Sequence, residues 1–376
     1  MASLDPRARA ILQGLQGYKP GTPIEEVKRR FKLKSVIKLA SNENALGPSP
    51  KALAALRAAS SQLNRYPDAA GSALKAKLAS VLRVKPDMIT LGNGSDELLV
   101  LALRAFVDPG DEVVVAEPTF LIYALQAKAC GASVHVVPQR DHRYDLAAMK
   151  RAVTPQTKIV FIANPDNPTG TYVTKRELSQ FLSGLPASVL VVMDEAYYEF
   201  VDAADYPQTI PLVNDAPVMV TRTFSKAYGL AGLRVGYAVA NPNVIAALEA
   251  VREPFNVNSL AQAAALAALG DIAFLAKTRK VLGEGRRFVL KALDALRFRY
   301  VPSAANFVLI ECGPRAPELA QALLEKGVIV REMSAWKLPG FLRVTIGTMP
   351  ENRRFVQALK QCLSPSVKVK NKRGSK

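Results

Sequence analysis

Apolar residues recur along this chain in two alternating rhythms. From residue 71, stretches with a helical period (GSALKAKLASVL, SDELLVLALRAF, TFLIYALQAKAC, LAAMKRAV, KRELSQFLSG) alternate with short unbroken apolar runs (DMITLG, DEVVVAE, SVHVV, KIVFIAN, SVLVVMDE, APVMVTRT). The first kind predicts helices and the second predicts strands. Because the runs are continuous and not alternating, both faces of each strand are covered, as in a mostly parallel sheet layered between helices. Ahead of them, IEEVKRRF predicts an arm helix, VIKL a short strand and KALAALRAAS a proline-led helix. Beyond residue 241 the pattern turns helical through NVIAALEAV, SLAQAAALAAL and a long helix. A smaller unit follows, with strands ANFVLIEC, GVIVRE and GFLRVTIG and helices ELAQALLEK and ENRRFVQALKQCL. The reading is an α/β fold, with a large domain built on a mostly parallel sheet between helices and a smaller α/β domain. Residues 1–44 form an N-terminal arm and part of the small domain, 45–260 the large domain, 261–366 the small C-terminal domain, and 367–376 a basic, disordered tail.

Composition narrows the class. With 376 residues, 49% hydrophobic and 22% charged, the chain has the balance of a globular protein with ample core. No apolar run reaches the roughly 18 residues that span a bilayer, and the start lacks the apolar stretch of a secretory signal. Cys130, Cys312 and Cys362 are odd in number and show no metal-ligand spacing. Reduced thiols in a cytoplasm are the expectation. The formal charge of +18 lies partly in the tail VKVKNKRGSK and is otherwise spread along the chain. Aromatic residues do not interleave with it, so it does not resemble a nucleic-acid platform. It suits the steering of anionic small molecules to a cleft. His135 and His142 sit in a hydrophilic stretch, and neither is expected to be catalytic.

Candidate chemistry comes from the residues just past each strand, because ligands of open α/β sheets bind beyond the carboxyl ends of the strands. Ser95 and Asp96 open a helix after DMITLG, and exposed backbone N–H groups there make an anion site. The GNGSDE turn resembles half of a dinucleotide fingerprint, which it does not complete. Phe120 follows DEVVVAE, the turn PDNPTG with Asn167 follows KIVFIAN, and Asp194 and Tyr197 close SVLVVMDEAY. Lys226 follows APVMVTRTFS, eight residues ahead of Arg234. A lone lysine there would open a solvated turn. In this company, at the end of a buried strand, it suits a chemical amine.

The set fits pyridoxal phosphate. Lys226 would hold the aldehyde as a Schiff base and Asp194 the protonated pyridine nitrogen. Asn167 and Tyr197 would serve the phenolic oxygen, and Phe120 would stack on the ring. Thr223, Ser225, Arg234 and the backbone at Ser95 and Asp96 would cradle the phosphate. NPDNPTG, DEAYYEF and RTFSKAYGLAGLRVGY resemble the signatures of the fold-type I aminotransferases. More narrowly, YKPGTPIEE, KLASNENALGPSP, NRYPD and LRVTIGT resemble the histidinol-phosphate aminotransferase branch, from about Tyr18 to Leu363. The resemblance implies a homodimer with sites at the subunit interface. It makes Arg343 the arginine for a substrate carboxylate or phosphate and Arg331 a second phosphate-binding arginine. Tyr66 becomes a residue reaching into the partner's site, and Tyr18 a lid residue. Phe120 departs from members with a tyrosine at that place, which keeps the stacking and loses a hydroxyl.

The resemblance implies amino transfer from histidinol phosphate to 2-oxoglutarate, giving imidazole acetol phosphate and glutamate by a ping-pong route in histidine biosynthesis. Lys226 acts as general base and acid, with Asp194 and Tyr197 beside it. The nearest rival is an aromatic amino acid (phenylalanine or tyrosine) aminotransferase or a dual-specificity enzyme. Decarboxylation of a phosphorylated amino acid on the same scaffold is a more distant one. No nucleic-acid reader module and no membrane segment is found.

Overall fold

The computed structural model describes residues 5–15, 17 and 21–363. Tyr18 and the basic tail therefore lie outside the described residues. Seven strands make the main sheet: β1 Ile89–Gly92, β2 Glu112–Glu117, β3 Ser133–Pro138, β4 Thr157–Ala163, β5 Leu190–Asp194, β6 Val218–Thr223 and β7 Gly236–Val239. Their order across the sheet is β1-β7-β6-β5-β4-β2-β3. The pairs from β6 to β3 are parallel, and β7 runs against both neighbours. Every residue of β5 and β6 is buried, which is why their sequences carry no alternation. Helices cover both faces, and the core runs from Ala52 to Ala268.

Six of these strands match the apolar runs. The seventh, β7, was not anticipated. It is four residues long, begins with glycine and pairs antiparallel to β6 with Thr223 opposite Gly236. Its apolar content, YAV, is too short to register as a run, and the chain's return beside β6 is a tertiary event. The helix read as TFLIYALQAKAC begins later, at Ile122, with Phe120 and Leu121 leading in.

A second core gathers Leu282, Val289, Phe307, Val344 and Phe355 with Leu39, Tyr197 and Ala227. Its four-stranded antiparallel sheet uses β8 Arg299–Val301, β9 Phe307–Glu311, β10 Arg331–Glu332 and β11 Phe341–Thr345, in the order β10-β11-β9-β8. Strand β8 was likewise missed, being three residues long and led by an exposed arginine. Ile37–Lys38 pairs in parallel with Val328–Ile329, so the segment after the arm helix Ile24–Phe31 is tied to the C-terminal unit. The chain passes from the first core to the second at Gly270–Asp271, because Ala261, Ala264, Ala265 and Ala268 of helix Ser259–Leu269 pack in the first. The cleft where the two cores meet holds the site.

Candidate active site

A cavity of about 1090 Å³, open solvent included, lies at the carboxyl edge of β1, β2, β4, β5 and β6. Ser95, Asp96, Phe120, Asn167, Asp194, Tyr197, Thr223, Ser225, Lys226, Arg234 and Arg343 all line it. They enter from five strand ends of the main sheet and, for Arg343, from β11 of the second sheet, so only the tertiary structure brings them together.

Asp194 ends β5 and is 6% exposed. Its Oδ2 accepts from the Tyr123 hydroxyl at 2.7 Å, and its Oδ1 accepts from the Ala196 N–H at 3.2 Å and the Thr221 hydroxyl at 3.4 Å. Burial pushes the carboxyl up to about 6, while these donors oppose the shift. Tyr123 was not singled out in the sequence. It lies inside helix Ile122–Cys130, where no feature of the sequence separates it from a core tyrosine. Its ring stacks on Phe161 at 4.8 Å with planes 2° apart, and Phe120 meets it edge-on at 5.6 Å.

At the opposite wall the Tyr197 hydroxyl accepts from Asn42 Nδ2 at 2.9 Å. Burial holds that phenol neutral, pushed up to about 12. Asn42 takes a left-handed conformation, φ 56°, which asparagine tolerates better than most residues. Its backbone N–H donates to Thr345 Oγ1 at 2.9 Å, linking the loop after the first short strand to β11. Asn42 lies in SNENALGP and was given no role from sequence. Arg343, 4% exposed on β11, donates to Asn167 Oδ1 and, at 2.9 Å, to the Ala40 carbonyl. Its guanidinium lies 5.3 Å over the Phe307 ring.

Lys226 occupies the loop between β6 and β7, residues 224–235. Because Thr223 and Gly236 face each other, both ends of that loop are anchored. Phe224 donates its N–H to Val235 O, Leu230 to Phe224 O and Gly229 to Lys226 O. Gly229, at φ +70°, lies so close to the Gly47 carbonyl that a Cβ would come within 2.1 Å of it. Lys226 Nζ donates to the Ser41 carbonyl at 3.4 Å and lies 5.7 Å over the Tyr197 ring. Behind the loop, Arg222 pairs with Glu195 at 2.8 Å, both buried, and packs on the Tyr198 ring.

The other end of the cavity is an anion cradle. Arg234 donates to Ser225 Oγ at 3.3 Å, and its Nη2 stands 3.6 Å from Asp96 Oδ2. The helix Ser95–Phe106 begins after Gly94, at φ +81°, with no side chain capping its first N–H groups. A helix start left uncapped, with an arginine and two hydroxyls beside it, suits a phosphate. A Cβ on Gly236 would come within 2.6 Å of the Ser95 nitrogen, so the cradle's shape depends on that glycine. A carboxylate at one end and this cradle at the other fit pyridoxal phosphate.

Two substrate candidates stand elsewhere. Tyr66 is 81% exposed and stacks on Phe255 at 4.6 Å, along an apolar groove between helices Pro50–Ala59 and Ser259–Leu269. Arg331 borders a separate groove with Gly21 and Thr22 of the arm. Tyr18 is outside the described residues.

The family model described as aminotransferase class I and II matches residues 34–359. The chain is similar to a histidinol-phosphate aminotransferase of Moorella thermoacetica, 48% identical over 96% of this chain and 94% of that one. It is similar to histidinol-phosphate aminotransferase 1 of Nitrosococcus oceani, 47% identical over 95% and 96% of the two chains. Among solved structures it resembles the histidinol-phosphate aminotransferase of Sinorhizobium meliloti in complex with pyridoxal-5'-phosphate, with a TM-score of 0.86 at 30% identity over 96% and 98%.

Proposed function

The chain belongs to the class I and II aminotransferases, and we propose that its donor is histidinol phosphate and its acceptor 2-oxoglutarate. Pyridoxal phosphate is the cofactor, and when bound it supplies an electron sink that weakens the donor's Cα–H bond. Lys226 would hold its aldehyde carbon, Asp194 its pyridine nitrogen, and Asn167 and Tyr197 its phenolic oxygen. Thr223, Ser225, Arg234 and the first N–H groups of Ser95 and Asp96 would take its phosphate, with Phe120 against the ring. Lys226 would take the donor's Cα proton at Nζ as general base and return a proton as general acid. Asp194 acts by keeping a negative charge beside the ring nitrogen. Donor and acceptor use one cavity in turn, so initial rates follow a ping-pong pattern.

One observation carries the choice of donor. Arg331 and Arg343 are direct partners across the β10–β11 pair. Side chains so paired leave the same face of the sheet, so Arg331, at the neighbouring groove, would bring a second positive charge to a dianionic phosphate held by Arg343, and Arg343 alone suits a carboxylate. The names borne by the relatives point the same way. A homodimer in the cytoplasm completes the reading, with Tyr66 reaching the partner's cavity and Tyr18 closing over the donor.

The test is a side-by-side measurement of kcat/KM for histidinol phosphate and phenylalanine, with 2-oxoglutarate as acceptor. Histidinol phosphate is expected to be the better donor. Arg331→Ala is expected to lower its kcat/KM about 30-fold, the loss of roughly 2 kcal/mol for a truncated charge partner. Phenylalanine should change less than about twofold by the same reasoning. Equal losses for both donors would overturn the phosphate assignment.

A further inference from the structure

We propose that Trp336 is a positioning residue that fixes Arg331 against Arg343, making the two arginines one receptor and setting the preference for a phosphate-ended donor. The inference rests on the reading of those arginines as substrate groups. Trp336 is the only tryptophan of the chain and is 1% exposed. It ends the turn Ser334–Trp336 within the connection from β10 to β11. That connection folds back on itself: the Met333 N–H donates to Phe341 O, and the Trp336 and Leu338 N–H groups donate to Met333 O. The same hairpin that carries both arginines therefore returns its own indole to them. The Arg331 guanidinium carbon lies 4.6 Å over the indole ring and that of Arg343 5.9 Å over it.

The arrangement answers a specific difficulty. Directly opposed residues of an antiparallel pair leave the same face of the sheet, where like charges destabilise each other. An indole face attracts cations more strongly than the other aromatic rings. One ring shared by both arginines offsets part of their repulsion. It also restricts Arg331, a long side chain, before the substrate arrives, which lowers the ordering cost of binding. Stacking occupies the face of a guanidinium and leaves its in-plane N–H edge as the hydrogen-bonding side. Arg343 has further restraints in Asn167, the Ala40 carbonyl and Phe307. Trp336 lies nearer to Arg331 than to Arg343, and so bears most on the second anionic charge of the donor.

The test uses holoenzyme and inorganic phosphate as the probe, with its inhibition constant measured against glutamate. Trp336→Leu is expected to raise that constant about tenfold and Trp336→Phe about threefold. Both should leave kcat and the KM for glutamate within about twofold, because the carboxylate depends on Arg343. In an Arg331→Ala background, Trp336→Phe should change the phosphate constant by less than about twofold, the non-additivity of residues acting as a pair. Should Trp336→Leu fail to fold, the Trp336→Phe cycle decides alone. Equal weakening of phosphate and glutamate, or additive effects in the double variant, would overturn the proposal. A wild-type enzyme that ignores histidinol phosphate would sink the proposed donor instead, while the phosphate constants still decide the role of Trp336.

Discussion

Asp194 is a buried carboxyl whose ionisation costs more than in water. The Tyr123 hydroxyl is the foremost of the groups that reduce that cost. In the proposed placement a pyridinium beside Asp194 would need the carboxylate form, so cofactor affinity is expected to be lost as pH falls through about 6, the carboxyl's position before binding. Tyr123→Phe removes a donor to the ionised form. The carboxyl then rises further, and the acidic loss of affinity moves to higher pH. Titration of the bound-cofactor absorbance between acid and neutral pH checks this. The variant should also bind the cofactor about tenfold more weakly at neutral pH, the value of one hydrogen bond to a charged group. An unmoved acidic limb would mean that Tyr123 only packs. Asp194 was legible in the sequence because it closes an unbroken apolar strand. Tyr123 was not, since nothing within helix Ile122–Cys130 distinguishes a tyrosine aimed at the site from one aimed at the core.

The loop 224–235 makes the same point for an element. Lys226, Ser225 and Arg234 were readable as a group from their spacing in one segment. The reason they converge is strand β7, which returns the chain antiparallel beside β6 and was invisible as a short run behind a glycine. Gly236 begins that strand against backbone atoms, with the Ser95 nitrogen, the Arg222 carbonyl and Gly94 all inside 3.0 Å of where a Cβ would stand. Backbone cannot swing aside as a flexible side chain can. Gly236→Ala is therefore expected to push the first turn of helix Ser95–Phe106 away from the cradle. Pyridoxal phosphate should bind about 10-fold or more weakly, in line with the roughly 1–3 kcal/mol of an overpacked contact. Equilibrium dialysis of the cofactor measures it, and unchanged affinity would show that the cradle does not rely on this close approach.

For the whole molecule, Tyr66 stands on the surface with Phe255, 41% exposed, beside an alanine-rich groove. An exposed aromatic pair beside an apolar groove suits a surface that a second subunit would cover. In the proposed homodimer a two-fold axis exchanges the same surface between subunits, and Tyr66 completes the partner's site. Lys226→Ala and Tyr66→Ala homodimers should each have little activity. Mixed by unfolding and refolding together, they should recover about a quarter of the wild-type rate, because half the dimers would each hold one site with both residues. No recovery above the two parents would place Tyr66 outside the partner's site.

At this scale the division of labour between sequence and tertiary structure is plain. Local patterning along the chain set the strand-and-helix alternation, the mostly parallel character of the large sheet and the residues at each strand's carboxyl end. Each of those depends on local periodicity or on a general property of parallel sheets. Lys226, Asp194, Asn167 and Tyr197 were legible as cavity residues for that reason. Packing in three dimensions is what sets Asn42 on Tyr197, Tyr123 on Asp194 and Trp336 near both Arg331 and Arg343. The partners are brought together from different elements: 155 residues of chain separate Asn42 from Tyr197, and 71 separate Tyr123 from Asp194. Even Trp336, close to its arginines in sequence, meets them because a hairpin connection folds back. Contacts of this kind follow from packing and register, which no periodicity along the chain encodes.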